Sequence, residues 1–172
     1  MTDRLRSLFS FPDPVNEVAA RTVAGGVVVM TTVALAGDVR WLLVPLAYGF
    51  WARVLTGPTL SPLGQLATRV VVPRLGFAPR PTPGPPKRFA QAMGVAFSSA
   101  AVIVWGLSGW ATGRFVLVPL DAAAVLEAAL GLCIGCRVFA LLMRVGVIPE
   151  SVCPECADLR RRHPALAAGD AG

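Results

Sequence analysis

The chain is 172 residues long, 55% hydrophobic and 15% charged, with a formal net charge of +6. A soluble domain carries about 25% charged residues, so this balance excludes an ordinary water-soluble globule and points to an integral membrane protein. The basic excess suits anionic lipid heads better than nucleic acid, so the expected partner is the lipid bilayer and no nucleic acid.

The first apolar run, residues 18–37, carries one charge, Arg21, near its end, where a long side chain reaches the membrane surface. Ala34-Leu35-Ala36 before Gly37 imitates a signal-peptidase site, but Asp3, Asp13, Glu17 and two prolines precede the run. Such an n-region is long and acidic, so the span is expected to be retained. The second run, residues 41–55, is short and holds Arg53 near its inner end. It opens with Arg40-Trp-Leu-Leu-Val-Pro-Leu46, which aligns with Arg114-Phe-Val-Leu-Val-Pro-Leu120. Each copy reads as the start of the second helix of a pair, with Pro45 or Pro119 in the first turn, where a missing N–H costs little. The repeat predicts two helical hairpins in parallel orientation, residues 18–55 and 89–148. Residues 56–88 join them, and residues 149–172 form a tail.

In the joining segment, Leu63, Leu66, Ala67, Val70 and Val71 recur at helical spacing, which suits an interfacial helix on the inner leaflet. A packed loop bounded by Pro62 and Pro73 is the alternative. Pro79, Pro81, Pro83, Pro85 and Pro86 then read as a stiff extended strap. Residues 89–113 run 25 positions without a charge, and a bilayer needs about 20. Residues 115–148 are too long for one perpendicular span and contain Asp121, Glu127, Arg137 and Arg144. The fold class expected is all-α, a membrane bundle of four transmembrane helices. Trp41, Trp51, Trp105 and Trp110 near the helix ends read as interface anchors.

Basic residues stay cytoplasmic. Arg69, Arg74, Arg80, Lys87 and Arg88 lie in the central connection, Arg4 and Arg6 at the start, and Arg160, Arg161 and Arg162 in the tail. Only Arg40 and Arg114 mark the turns inside the hairpins. Both termini and the central connection are therefore expected in the cytoplasm. The repeat offset places Arg53 and Glu127 at equivalent positions, each 13 residues after the repeat's arginine. At 1.5 Å per residue both lie roughly 20 Å in. Buried charges are usually paired, so an Arg53–Glu127 contact is expected.

The four cysteines form two C-x-x-C pairs, Cys133/Cys136 and Cys153/Cys156. The first pair reads as neighbours on one face inside the last apolar helix. Arg137, four residues beyond Cys133, can reach back towards its sulfur and favour the thiolate, or snorkel to lipid phosphates. Pro154 suits a first helical position, which makes Cys153 an N-cap and the more exposed, attacking thiol. Cys156 then falls in the first turn, where Glu155 and Asp158 oppose a thiolate. The 16 residues between the pairs fall within four-cysteine zinc spacing. Shared ligation or direct exchange requires a turn within residues 145–151, where Gly146 and Pro149 stand. A cytosolic setting argues against a permanent structural disulfide. His163 reads as a lone solvated histidine.

Two functions follow. In the first, Cys133, Cys136, Cys153 and Cys156 are catalytic and pass electrons or sulfane sulfur between pairs by mixed disulfides. A thioredoxin-like or sulfurtransferase partner is then expected, with a quinone as a further electron carrier. In the alternative, the same four cysteines bind a structural zinc in a scaffold or transporter. Whether the protein is an enzyme, and its oligomeric state, stay open.

Asp13-Pro-Val-Asn-Glu17, Ser61-Pro62, Val72-Pro-Arg-Leu-Gly76, Gly84-Pro-Pro-Lys-Arg-Phe-Ala90 and the Cys133-Ile-Gly-Cys136 to Cys153-Pro-Glu-Cys156 stretch together resemble a domain-of-unknown-function family. Its members are small bacterial four-helix membrane proteins. The resemblance implies a multi-pass protein of the bacterial inner membrane and adds weight to the cysteines without supplying a reaction.

Overall fold

The structure, a computed structural model, describes residues 11–162, with side chains described as far as residue 158. Arg4, Arg6 and His163 lie outside the described residues, as do the side chains of Arg160, Arg161 and Arg162. The described chain is mostly helical. Two of its helices are long and apolar enough to cross a membrane, or three if one sharply bent pair counts as a single span.

β1 (Val15–Asn16) runs directly into α1 (Glu17–Ala36). The Asn16 side chain caps that helix, accepting from the Val18 N–H at 3.0 Å, and Glu17 puts negative charge where the helix dipole favours it. A 3-10 turn, Arg40–Leu42, feeds α2 (Leu43–Thr56). The Ser61 hydroxyl then caps α3 (Pro62–Leu66), accepting from the Gly64 N–H at 3.2 Å.

α3, a wide π turn (Ala67–Val71) and α4 (Val72–Leu75) follow one another without a break. A helix therefore exists here, but Pro73, expected at an edge, lies inside it. The wider turn opens the room that the proline ring needs. Ala67 is buried while Leu66 is half exposed, so the apolar face is divided between the bundle and its surroundings. The strap is also shorter than its prolines suggest. β2 (Pro81–Thr82) pairs antiparallel with β1, Val15 opposite Thr82. Pro85 and Pro86 instead sit in the first turn of α5 (Gly84–Ser108), where N–H groups have no helical acceptor to lose.

α6 (Trp110–Val125) starts one turn earlier than the repeat implies. Arg114 and Pro119 consequently lie inside the helix rather than at its opening. The repeat nonetheless holds at the level of packing. Leu43 and Leu117 occupy matching positions and both are fully buried; Leu46 and Leu120 match and are nearly so. α1 packs on α6 and α2 on α5, so each hairpin's first helix lies against the other's second. Thr31 on α1 donates to the half-buried Asp121 on α6, a polar link between the two hairpins. Trp110 is buried and its Nε1–H donates to Asp38, so it is a packing residue; Trp41 and Trp51 are exposed.

The last apolar stretch is not one helix. A π turn (Leu126–Leu130) ends α6 at Gly131, whose φ of +70° is a left-handed conformation suited to glycine. α7 (Ile134–Arg144) departs at 97°. Arg21 makes this break stable. Its Nη2 donates to the Ala128 and Ala129 carbonyls at 3.1 and 2.9 Å, satisfying helix-end acceptors rather than reaching for lipid. Beyond α7 the chain turns at Gly146, passes a 3-10 turn (Glu150–Val152) and enters α8 (Pro154–Arg162).

Candidate functional site

Three separate stretches build the site. The segment around β1 and β2 is held by Gly84 N–H donating to the Asp13 carboxylate at 2.9 Å and by Thr82 Oγ1 donating to the Val15 carbonyl at 3.1 Å. This fixes the start of α5 and hence Lys87, one turn in. The break after Gly131 places Cys133 immediately before α7 and Cys136 in its first turn. Finally the tail folds back: Cys153 and Ala157 pack with Phe139, Met143 and Phe89.

These stretches enclose a cleft of about 540 Å³ whose wall includes Glu17, Lys87, Cys133, Cys136, Arg137 and Cys156. Cys133 is buried and Cys136 half-buried, both as free thiols whose side chains interact directly. Cys153 and Cys156 form a disulfide. The turn within residues 145–151 that two cooperating pairs require is present, and one cysteine of the tail reaches the cleft of the first pair. That cysteine is Cys156. Cys153, expected to be the exposed attacking thiol, is 2% exposed because Phe139 and Met143 cover it.

The charges also differ from expectation. Glu127 does not contact Arg53. Its Oε1 accepts from Lys87 Nζ at 2.8 Å, with both side chains largely buried. Arg53 donates instead to Gln91 Oε1 at 2.8 Å and to Ser61 Oγ at 3.2 Å. Lys87 acts electrostatically on both Cys133 and Cys136, whereas Arg137 is exposed on the rim of the cleft. Sequence reasoning missed Lys87 by counting it only as a cytoplasmic charge. The available signal was a lone lysine one turn into a helix that continues as a long uncharged run, since a lysine entering such a helix needs a partner.

The residues as placed do not fit zinc. Among the described residues no group of three or more His, Cys, Asp or Glu is arranged to hold a metal ion. With Cys153 bonded to Cys156, two thiols remain, too few for a four-coordinate site.

No curated protein and no solved structure matches the chain. A family model, Domain of unknown function (DUF4395), matches residues 15–144, which take in the Asp13-to-Glu17 cap from Val15 onward, Lys87, Glu127, Cys133 and Cys136. The match stops short of Cys153 and Cys156. With most of its length matched, from the cap of α1 to the end of α7, the chain belongs to the DUF4395 family, a domain of unknown function.

Proposed function

We propose that this protein is a multi-pass protein of the bacterial inner membrane that exchanges thiols and disulfides at its cytoplasmic face. The observation carrying this reading is that Cys133, Cys136 and Cys156 line one cleft beside Lys87. α1 and α5 supply two spans. α6 with its π turn supplies a third, since 16 residues plus five span about 31 Å at 1.5 Å each. α2 with its 3-10 turn supplies the fourth, at the short end of the 17–25 residues that crossing takes. α7, at right angles, then lies along the inner surface. Leu107 and Phe115, 82% and 75% exposed, need an apolar surrounding. Both termini and the central connection face the cytoplasm, following the basic residues.

The chemistry needs no outside oxidant for its internal step. Cys133, next to a helix N-terminus and Lys87, attacks Cys156 Sγ as a thiolate. The Cys153–Cys156 bond breaks and Cys153 leaves as a thiolate. Cys136 then attacks Cys133 Sγ and releases Cys156. Two electrons pass to the tail, whose thiols take up the two protons, and Cys133–Cys136 becomes the disulfide. A thioredoxin-like protein of the cytoplasm, entering as a disulfide, would then take the two electrons from the tail, which returns to the Cys153–Cys156 disulfide.

The test is a Cys136→Ser, Cys153→Ser variant, which retains one cysteine of each pair. Mild oxidation is expected to give an intramolecular Cys133–Cys156 link, identified by peptide mass spectrometry. Links formed only between molecules would end the exchange reading. Zinc content of the reduced wild type is measured alongside. Stoichiometric metal with all four thiols protected would replace exchange by the four-cysteine zinc alternative.

A further inference from the structure

The exchange proposed above leaves Cys133–Cys136 as a disulfide and passes its two electrons on through the tail. The pair must be reduced again before the next turn, so a donor has to reach these two sulfurs. Cys133 is 8% exposed and Cys136 half-buried, and the tail packs on Phe139 and Met143 of the same helix. Both cysteines line the cleft of about 540 Å³. That volume falls within the roughly 300–1,000 Å³ of small-molecule sites. A folded protein would have to open the cleft to touch Cys133.

The cleft wall also shows what such a molecule carries. Three charged side chains line it: Glu17, Lys87 and Arg137. Lys87 is neutralised by Glu127 at 2.8 Å. Among the described residues, the Glu17 carboxylate and the Arg137 guanidinium have no ion pair and no side-chain hydrogen bond. One open acceptor on α1 and one open fork of donors on α7 therefore stand on the wall that holds the thiols. A guanidinium fork matches a carboxylate, and a carboxylate accepts from an ammonium.

We propose that the donor is a low-molecular-weight amino-acid thiol that binds in this cleft, its carboxylate on Arg137 and its ammonium on Glu17. The proposal rests on the exchange reading, which requires the Cys133–Cys136 disulfide to be reduced after each turn. The bound thiol attacks Cys136 Sγ, the more open sulfur, as a thiolate. The Cys133–Cys136 bond breaks and Cys133 leaves as a thiolate beside Lys87. A second molecule of the thiol attacks the sulfur of the first, forms the small disulfide and releases Cys136. Two electrons enter the protein, and the protons of the two donor thiols pass to Cys133 and Cys136.

Full-length protein in nanodiscs carrying Cys153→Ser and Cys156→Ser, which confines the chemistry to the first pair, is oxidised to the Cys133–Cys136 disulfide. Its reduction by cysteine is followed by quenched alkylation and mass spectrometry. Reduction by 2-mercaptoethanol, which has neither charge, is the comparison. Each rate is divided by that of the same thiol on a small model disulfide, which removes differences in thiol reactivity. The rate with cysteine is expected to saturate and that with 2-mercaptoethanol to stay linear. Arg137→Gln and Glu17→Gln are each expected to raise the half-saturating cysteine concentration about tenfold, the value of a hydrogen bond to a charged group. Arg137→Gln, on the exposed rim, serves if Glu17→Gln does not fold. Absence of saturation, or saturation unchanged in the folded Arg137→Gln protein, would overturn the donor site. Failure of the Cys133–Cys156 link with saturable reduction intact would remove the exchange reading and leave the thiol site. A link that forms without saturable reduction would remove only the donor site.

Discussion

Lys87 holds Glu127 at 2.8 Å, with the two side chains 8% and 15% exposed. Removing one partner of such a pair strands the other charge, a loss of about 3–5 kcal/mol. Lys87→Met and Glu127→Gln are each expected to destabilise by about that amount, and the double variant to recover part of it. Melting of the purified variants in detergent checks this; strictly additive losses would show that the contact contributes nothing. Sequence spacing put Arg53 opposite Glu127 because the repeat gives both the same depth. Both do line one cavity. Rise along a helix sets depth, but rotation about its axis is set by packing, and α5 brings Lys87 closer. Cys153 shows the same division. Its place just before α8 was readable from Pro154, whereas its burial depends on Phe139 and Met143 arriving from another helix.

At the scale of elements, α7 carries Cys133 at its start and Cys136 in its first turn, and it docks on α5 through Gly135. A Cβ added there would lie 2.5 Å from both Ala90 Cα and Ala90 Cβ, too close without moving a backbone. Gly135→Ala is therefore expected to cost about 1–3 kcal/mol, the usual range for overpacking, and to slow formation of the Cys133–Cys156 link. Gly106→Ala on α5, where nothing lies within 4 Å, is the control and should leave both unchanged. Thermal melts and the time course of cross-linking check the pair; equal behaviour of the two variants would sink the docking argument. The break itself was hidden in the sequence because residues 128–136 read as one apolar run. Its signal was Gly131, but a glycine in an apolar stretch is as compatible with a membrane helix as with a helix stop. Arg21 resolves the choice by reaching across from α1 to the freed carbonyls.

For the whole molecule, the proposed orientation puts the turns between paired helices outside and the site inside. In a cysteine-free background, single cysteines at Gly37 and Ser108 are expected to react with a membrane-impermeant maleimide in intact cells. A cysteine at Ser151, exposed in the tail, should react only after the cells are opened. Labelling of Ser151→Cys from outside, with the turns protected, would invert the arrangement.

Composition by itself determined that the surface is apolar, and Leu107 and Phe115 display the consequence. Local chemistry determined the first apolar helix, the cap position of Cys153 before Pro154 and the pairing of cysteines two by two, whereas Pro85 and Pro86, which read as strap, open α5. These are properties of a residue and its near neighbours in the chain. Only the tertiary structure decided that Glu127 meets Lys87, that Cys156 rather than Cys153 reaches the cleft, and that Arg53 turns to Gln91 and Ser61. Each of those outcomes depends on helix rotation and on a 97° bend, both set by contacts between residues far apart in sequence.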